Sequence, residues 1–182
     1  AVNYISSSDP EKAINSFDIF LQMAVIGNPN KNLDPKKMDI YNALGGLYTK
    51  LYEADRPNKT YFEKAEEYYG KVLSLDTNNL NGNYNMGVLY YNEAVKKIYK
   101  TESCKQVEVA ESFNWADPNS VIPSLEDLVE CLNTADFKKY KIDVLFRKAL
   151  PYFEKVKQLE PTDKNVQIGL EGIYFALNKF EI

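Results

Sequence analysis

The residue types that carry most protein chemistry are sparse in this 182-residue chain. It contains no histidine and two cysteines, Cys104 and Cys131. Histidine is the commonest general base and metal ligand, and it is the usual partner of a serine or cysteine nucleophile. Two cysteines without histidine also fall short of the four ligands that a structural zinc site requires. We therefore expect no catalytic site, no metal and no cofactor.

The two cysteines leave two interpretations open. A disulfide between Cys104 and Cys131 would stabilise the chain by about 3 kcal/mol and would imply an oxidising compartment. Alternatively, both are reduced and act as small apolar side chains. The sequence does not decide between them.

The charged residues give no sign of a site either. Lys and Arg number 22 against 26 Asp and Glu, a net charge of −4, and the basic residues are spread along the chain. Nucleic-acid binding requires a clustered basic face, so we expect no nucleic-acid partner. Carboxylate pairs such as Glu66 and Glu67 fall on a solvated helical face. The chain also lacks the run of about 20 apolar residues that spans a bilayer.

The elements that would position any site show an internal repeat. Residues 41 to 48, YNALGGLY, align with residues 83 to 90, NYNMGVLY, which places Gly45 and Gly87 in register. A glycine inside a helix costs about 1 kcal/mol relative to alanine. The pattern therefore predicts that a neighbouring helix approaches closely at both glycines.

A second pattern occurs three times along the chain. A small residue, an aromatic residue and a third apolar residue recur at spacings of four and three, which places them on one helical stripe. The three sets are Ala65, Tyr69 and Val72; Ala149, Phe153 and Val156; and Ala13, Phe17 and Phe20. We expect each stripe to pack against the preceding helix.

These two patterns resemble the tetratricopeptide (TPR) repeat, a helix–turn–helix unit of about 34 residues. The resemblance implies an all-α fold, a right-handed superhelix of antiparallel helix pairs with a long helical insertion in one repeat. It divides residues 1–182, as a single array, into a partial repeat at 1–27, repeats at 36–77 and 80–161, and a partial repeat at 163–182. Glu171 and Thr77 depart from the family pattern, which has a small residue and proline at those positions. Both ends fall inside repeats, so we expect the chain to be part of a longer protein.

Start and stop signals predict the helices in more detail. We expect helices over residues 10–25, 35–53, 59–75, 80–99, 142–159 and 163–178. The insertion, at about 100–141, is too long for an unstructured loop and should contain helices of its own, with a start signal near Ser124. Trp115, also in the insertion, is interpreted either as an anchor for a partner or as a residue that fastens the insertion to the body.

The resemblance also implies a binding surface on the concave face of the array, which the first helix of each pair lines. Tyrosine and asparagine there would offer flat contact area and hydrogen bonds to a peptide. The alternative is that Tyr84 and Tyr91 only pack against the insertion or the next helix. The predicted partner-binding residues are Asn42, Thr49, Lys50, Asn81, Tyr84, Asn85, Val88, Tyr91, Asn92 and Phe175.

We therefore expect a non-catalytic interaction scaffold that binds a protein or peptide through its concave face. The alternative is a structural spacer or oligomerisation element of an envelope complex, which would contact its partners, including other copies of the chain, through the insertion. The repeat that carries the insertion, with its second helix FRKALPYFEKVKQLEP at residues 146–161, is similar to TPR proteins of bacterial cell envelopes. This similarity favours an extracytoplasmic location such as the periplasm.

Overall fold

The computed structural model describes residues 10–27, 32–55, 57–101, 104 and 131–180, except for the side chains of residues 10, 18 and 180. Within these ranges every regular element is a helix. The all-α prediction is therefore confirmed at this level. None of the helices in these ranges has the length and apolar character needed to cross a membrane.

The described part of the chain contains seven helices, the longest of 21 residues. They are α1 (Pro10–Gly27), α2 (Asp34–Ala54), α3 (Lys59–Leu75), α4 (Leu80–Tyr99), α5 (Thr134–Lys139), α6 (Ile142–Leu159) and α7 (Lys164–Phe180). Six of them match the predicted helices to within two residues at each end. The short α5 lies in the insertion, which was predicted to contain helices, but its position was not predicted.

Residues at the helix starts explain where three of the helices begin. Pro35 lies in the first turn of α2, where its missing N–H is not needed. Asn133 caps α5 by accepting a hydrogen bond from the Asp136 backbone N–H at 2.8 Å. Asp163 does the same for α7, through the Val166 N–H at 3.0 Å. These contacts satisfy N–H groups that the helix itself leaves unpaired.

The chain divides into two compact units, with the boundary between Leu89 and Tyr90. In the first unit, α2 and α3 form a closely packed helix pair. The Tyr69 ring lies against Gly45, where an added Cβ would be 2.6 Å from ring atom Cδ1. Gly82 at the start of α4 lies against Val72 in the same way, since a Cβ there would be 2.9 Å from Cγ1. The predicted close approach at Gly45 is therefore present.

The second unit has an aromatic core. Tyr91 on α4 packs against Phe146 and Phe153 of α6, with ring centroids 5.8 Å apart in both cases. Phe153 also lies over Gly169 of α7, where an added Cβ would be 2.8 Å from Cε2. Phe137 of α5 is buried beside this core.

A disulfide joins Cys104, just after α4, to Cys131, just before α5. The sequence alone left this pairing open. Cys104 is buried, and Cys131 is half-buried. The predicted helix beginning near Ser124, and Trp115, lie outside the described residues.

The three predicted apolar stripes are not equivalent in the structure. Val72 and Val156, the third members of two stripes, are completely buried. Phe20, the third member of the α1 stripe, is 45% exposed, although Ala13 and Phe17 of the same stripe are buried. Phe20 is thus less buried than its two equivalents. The helix that the α1 stripe is predicted to contact falls in residues 1–9, outside the described residues, so this contact stays a prediction.

Candidate partner-binding face

The predicted binding residues of the first unit lie on α2 and on the first half of α4. Both helices pack against α3, through Gly45 and Gly82 respectively. Their starts lie side by side, since the Asn79 side-chain nitrogen is 3.6 Å from the Met38 sulfur. Asn42 lies one turn after Met38 on α2, and Tyr84 and Asn85 lie in the first two turns of α4. We call the seven predicted residues of this unit the first-unit face: Asn42, Thr49, Lys50, Asn81, Tyr84, Asn85 and Val88.

Asn42 is the residue of this face whose hydrogen bonding is incomplete. The residue is half-buried, and its Oδ1 atom is buried without a hydrogen-bond partner among the described residues. An unsatisfied buried acceptor costs roughly 1–3 kcal/mol, so such atoms are rare unless they serve a purpose. Because the Oδ1 atom itself is covered, a ligand can donate a hydrogen bond to it only when the half-buried amide of Asn42 turns toward the surface.

Thr49 is committed to contacts inside the unit. Its hydroxyl donates to the Gly45 carbonyl oxygen at 2.9 Å and lies 3.1 Å from the Tyr69 phenol oxygen. Because the Thr49 proton is used on Gly45, the Tyr69 phenol donates to Thr49. Burial of Tyr69 raises the pKa of its phenol to about 12. Thr49 thus fixes Tyr69 over Gly45 rather than offering a group to a partner.

Tyr91 occupies the position in the second unit that Thr49 occupies in the first, four residues after an aligned glycine. It is 2% exposed and packs between two phenylalanine rings. The hydroxyl pair Thr49–Tyr69 of the first unit is thus replaced by the ring pair Tyr91–Phe153 in the second. The prediction that Tyr91 offers contact area to a partner does not agree with this position, because the ring forms part of the core.

The remaining predicted residues differ in accessibility. Lys50 and Asn81 are exposed. Tyr84, Asn85, Val88 and Phe175 are half-buried. Phe175 lies on α7 in the second unit, where the Lys179 ammonium is 5.9 Å from its ring centroid. Asn92, also in the second unit, is buried, and like Asn42 it has an Oδ1 atom without a partner among the described residues.

A row of four tyrosines between α2 and α3 was not predicted. Tyr48 stacks on Tyr68 with a centroid separation of 5.7 Å, and both rings have a further tyrosine neighbour at 6.2 Å, Tyr61 and Tyr41 respectively. The Lys71 ammonium lies 4.6 Å from the Tyr68 ring centroid. The signal in the sequence was a seven-residue spacing of tyrosines on each helix, which places the members of each pair on one face. The row adds ring contacts between α2 and α3, the pair of helices that carries Asn42.

Beside this row, Glu67 accepts hydrogen bonds from Lys64 at 2.7 Å and from Lys71 at 2.6 Å. These two bonds hold the pKa of the Glu67 carboxyl below its ordinary value. All three side chains are about 40% exposed, so solvent screens the pairs and their contribution to stability is small. Elsewhere in the described ranges, no group of three or more Cys, Asp or Glu side chains is arranged to hold a metal ion.

Comparison of the chain with protein-family models gives no match, and comparisons with curated proteins and with solved structures give none either.

Proposed function

We propose that this chain is a non-catalytic binding module of TPR type that holds a peptide or protein segment against the first-unit face. The observation that carries the proposal is the buried Oδ1 atom of Asn42, which has no partner among the described residues. An extended peptide presents backbone N–H groups, and one of these would complete the hydrogen bonding of Asn42 when its amide turns toward the surface.

The repeated contacts within the helix pairs support the repeat interpretation. Ala65 and Ala149 are completely buried, and each is followed four residues later by an aromatic ring that lies over a helical glycine. These rings are Tyr69 over Gly45 and Phe153 over Gly169. The glycine lies on the helix before the ring in the first unit and on the helix after the ring in the second. The buried alanine and the aromatic ring four residues later are therefore what recurs in both units, as expected of a repeated sequence.

The composition of the first-unit face supports a peptide ligand. Two asparagines, a tyrosine and a valine are half-buried on it, and Lys50 and Asn81 are exposed. Asparagine side chains can donate hydrogen bonds to a peptide backbone and accept them from it. A tyrosine side chain offers a large contact area and loses little conformational entropy when a ligand binds. The single positive charge favours a ligand that is neutral or acidic near Lys50.

The proposal is tested by selecting a random peptide library on the full chain and measuring the dissociation constant of each selected peptide. The Asn42→Ala variant should weaken binding by about tenfold, the loss expected for one hydrogen bond to a buried acceptor. Asn178→Ala is the matched control, because Asn178 is an exposed asparagine of α7. It should leave the dissociation constant unchanged.

Selected peptides that bind Asn42→Ala as tightly as the wild type would overturn the assignment of the face. A library that yields no binder to the wild-type chain would overturn the binding function itself. In that case the alternative role, a structural element of a larger assembly, would take its place.

A further inference from the structure

The helix α1 has a second apolar face in addition to the one that packs on α2. Its buried side carries Ala13 and Phe17, which lie against the first-unit core. On another side, Ile19, Phe20, Met23 and Ile26 are between 45% and 80% exposed. We call these four residues the α1 apolar face.

The spacing of the four residues makes the α1 apolar face a continuous stripe. Ile19, Met23 and Ile26 follow one another at intervals of four and three residues, the spacing of a helix–helix seam, and Phe20 flanks them. A helix that is apolar on two sides is normally covered on both. No other described helix has more than two large apolar residues exposed to this degree.

We propose that the α1 apolar face pairs with the same face of a second copy of this chain, with the two α1 helices antiparallel. The area is sufficient for this. A fully exposed side chain of this size presents roughly 200 Å², so the four together expose about 500 Å² per copy. Pairing would bury about 1,000 Å² in total, the minimum expected of a specific interface.

The absence of charge favours a second copy over an unrelated helix. Residues 19 to 27, IFLQMAVIG, contain no ionisable side chain. A two-fold interface brings identical surfaces together, so any charge within it would face a like charge. The α1 apolar face avoids that repulsion, and it offers no charge with which to select a different, oppositely charged partner.

The order of side chains along the helix is self-complementary. When two antiparallel helices cross at Met23, Phe20 of each copy faces Ile26 of the other, and Ile19 faces Gly27. The flexible thioether of Met23 fills the centre, where it can adapt to its own copy. Gly27 has no side chain, and no atom of its own copy lies within 4 Å of the position that a Cβ would take, so there is room for Ile19 of the other copy.

The test measures the molar mass of the full chain by light scattering at a concentration on the order of 100 µM, at which a dimer of micromolar dissociation constant is almost fully formed. The wild type should have twice the monomer mass. Met23→Glu and Met23→Lys should each raise the dissociation constant at least about a hundredfold, because two like charges would be buried together. An equimolar mixture of the two variants should form the dimer again, since opposite charges then meet at the crossing point.

Val25→Glu is the matched control, because Val25 is half exposed on the same helix but lies off the α1 apolar face. It should leave the dimer intact, and circular dichroism should show equal helicity in all variants. As a second measurement, Met23→Cys should form an intermolecular disulfide on mild oxidation, and Val25→Cys should not. The native Cys104 and Cys131 are already bonded to each other and do not compete.

A wild-type chain that is monomeric at this concentration would overturn the proposal and assign the face to a different partner. A dimer that Met23→Glu leaves unchanged would also overturn it, because the contact would then lie elsewhere. A mixture of the two charged variants that stays monomeric would exclude the antiparallel crossing at Met23.

Discussion

At the scale of single residues, the first unit contains two asparagines in contrasting situations. The Asn83 side-chain nitrogen donates to the carbonyl oxygens of Thr77 and Asn79, at 3.0 and 2.8 Å, and the residue is buried. Asn42, in contrast, keeps a buried oxygen without a partner among the described residues. The same side chain therefore stabilises the turn before α4 in one place and lowers stability in the other.

The contrast gives a prediction on stability. Asn83→Ala should lower the free energy of unfolding by about 1–2 kcal/mol, because it removes the two hydrogen bonds that the buried side chain donates to the turn. Asn42→Ala should leave the free energy of unfolding unchanged or raise it by up to about 1 kcal/mol, because an unsatisfied acceptor is removed. Urea denaturation followed by circular dichroism measures both. A loss at Asn42→Ala as large as that at Asn83→Ala would show that Asn42 is a structural residue.

The buried phenol of Tyr69 predicts a dependence of stability on alkaline pH. Burial raises its pKa in the folded state to about 12, above the ordinary value of 10. The folded state therefore holds the phenol proton more tightly than the unfolded state. Stability from this group is fully present below pH 10 and is lost at about 1.4 kcal/mol per pH unit between pH 10 and 12.

This pH dependence is measured by urea denaturation between pH 9 and pH 11.5. Tyr69→Phe should reduce the slope of the free energy of unfolding above pH 10, even though the variant loses the hydrogen bond to Thr49. Tyr61→Phe is the control, since Tyr61 is only half-buried. An identical slope in Tyr69→Phe and the wild type would assign the alkaline loss to other tyrosines, such as the buried Tyr91, whose pKa is also raised by burial.

At the scale of elements, the pairing of α2 with α3 depends on one of two adjacent glycines. Gly45 lies under the Tyr69 ring, whereas a Cβ on Gly46 would meet nothing closer than the Tyr69 phenol oxygen at 4.0 Å. Gly45→Ala should lower the free energy of unfolding by about 1–3 kcal/mol, because the ring has to move. Gly46→Ala should raise it by up to about 1 kcal/mol, since alanine favours the helix and nothing opposes it.

Thermal denaturation of the two glycine variants checks this expectation. Gly70→Ala provides a further comparison on α3, because nothing lies within 4 Å of its Cβ position, and it should behave like Gly46→Ala. If Gly45→Ala were as stable as Gly46→Ala, the close approach of Tyr69 would not be what requires glycine in this helix.

The extent of the helices could be predicted well because their ends are set by local chemistry. Proline in the first turn of α2 and Asp163 at the start of α7 act within a few residues of the chain. Helices were predicted in the insertion, but the position of α5 was not, because its six residues are too few for an apolar period to be visible. Its one buried side chain, Phe137, acquires that role only through the packing of the second unit.

At the scale of the whole molecule, the disulfide is the covalent constraint of the second unit. It joins residues 27 positions apart, so the chain-entropy relation predicts a stabilisation of about 3.5 kcal/mol. Reduction, or the double variant Cys104→Ser/Cys131→Ser, should lower the free energy of unfolding by about this amount. The effect should be confined to the second unit.

Hydrogen exchange followed by mass spectrometry can resolve the two units. Under reducing conditions, amide protection should fall in peptides from α6 and stay unchanged in peptides from α3. Equal loss of protection in both would show that the units unfold together. No change in either would show that the disulfide contributes nothing to the stability of the folded chain.

The sequence by itself determined the helical class, the extent of six helices and the need for close contact at Gly45. Each of these follows from local propensity or from a period that is visible along the chain. Only the tertiary structure decided that Tyr91 belongs to the core, that Phe20 stays exposed and that Cys104 meets Cys131. The physical reason is that burial depends on which distant side chains face a residue. Tyr91 has two phenylalanine rings against it, whereas Phe20 remains 45% exposed.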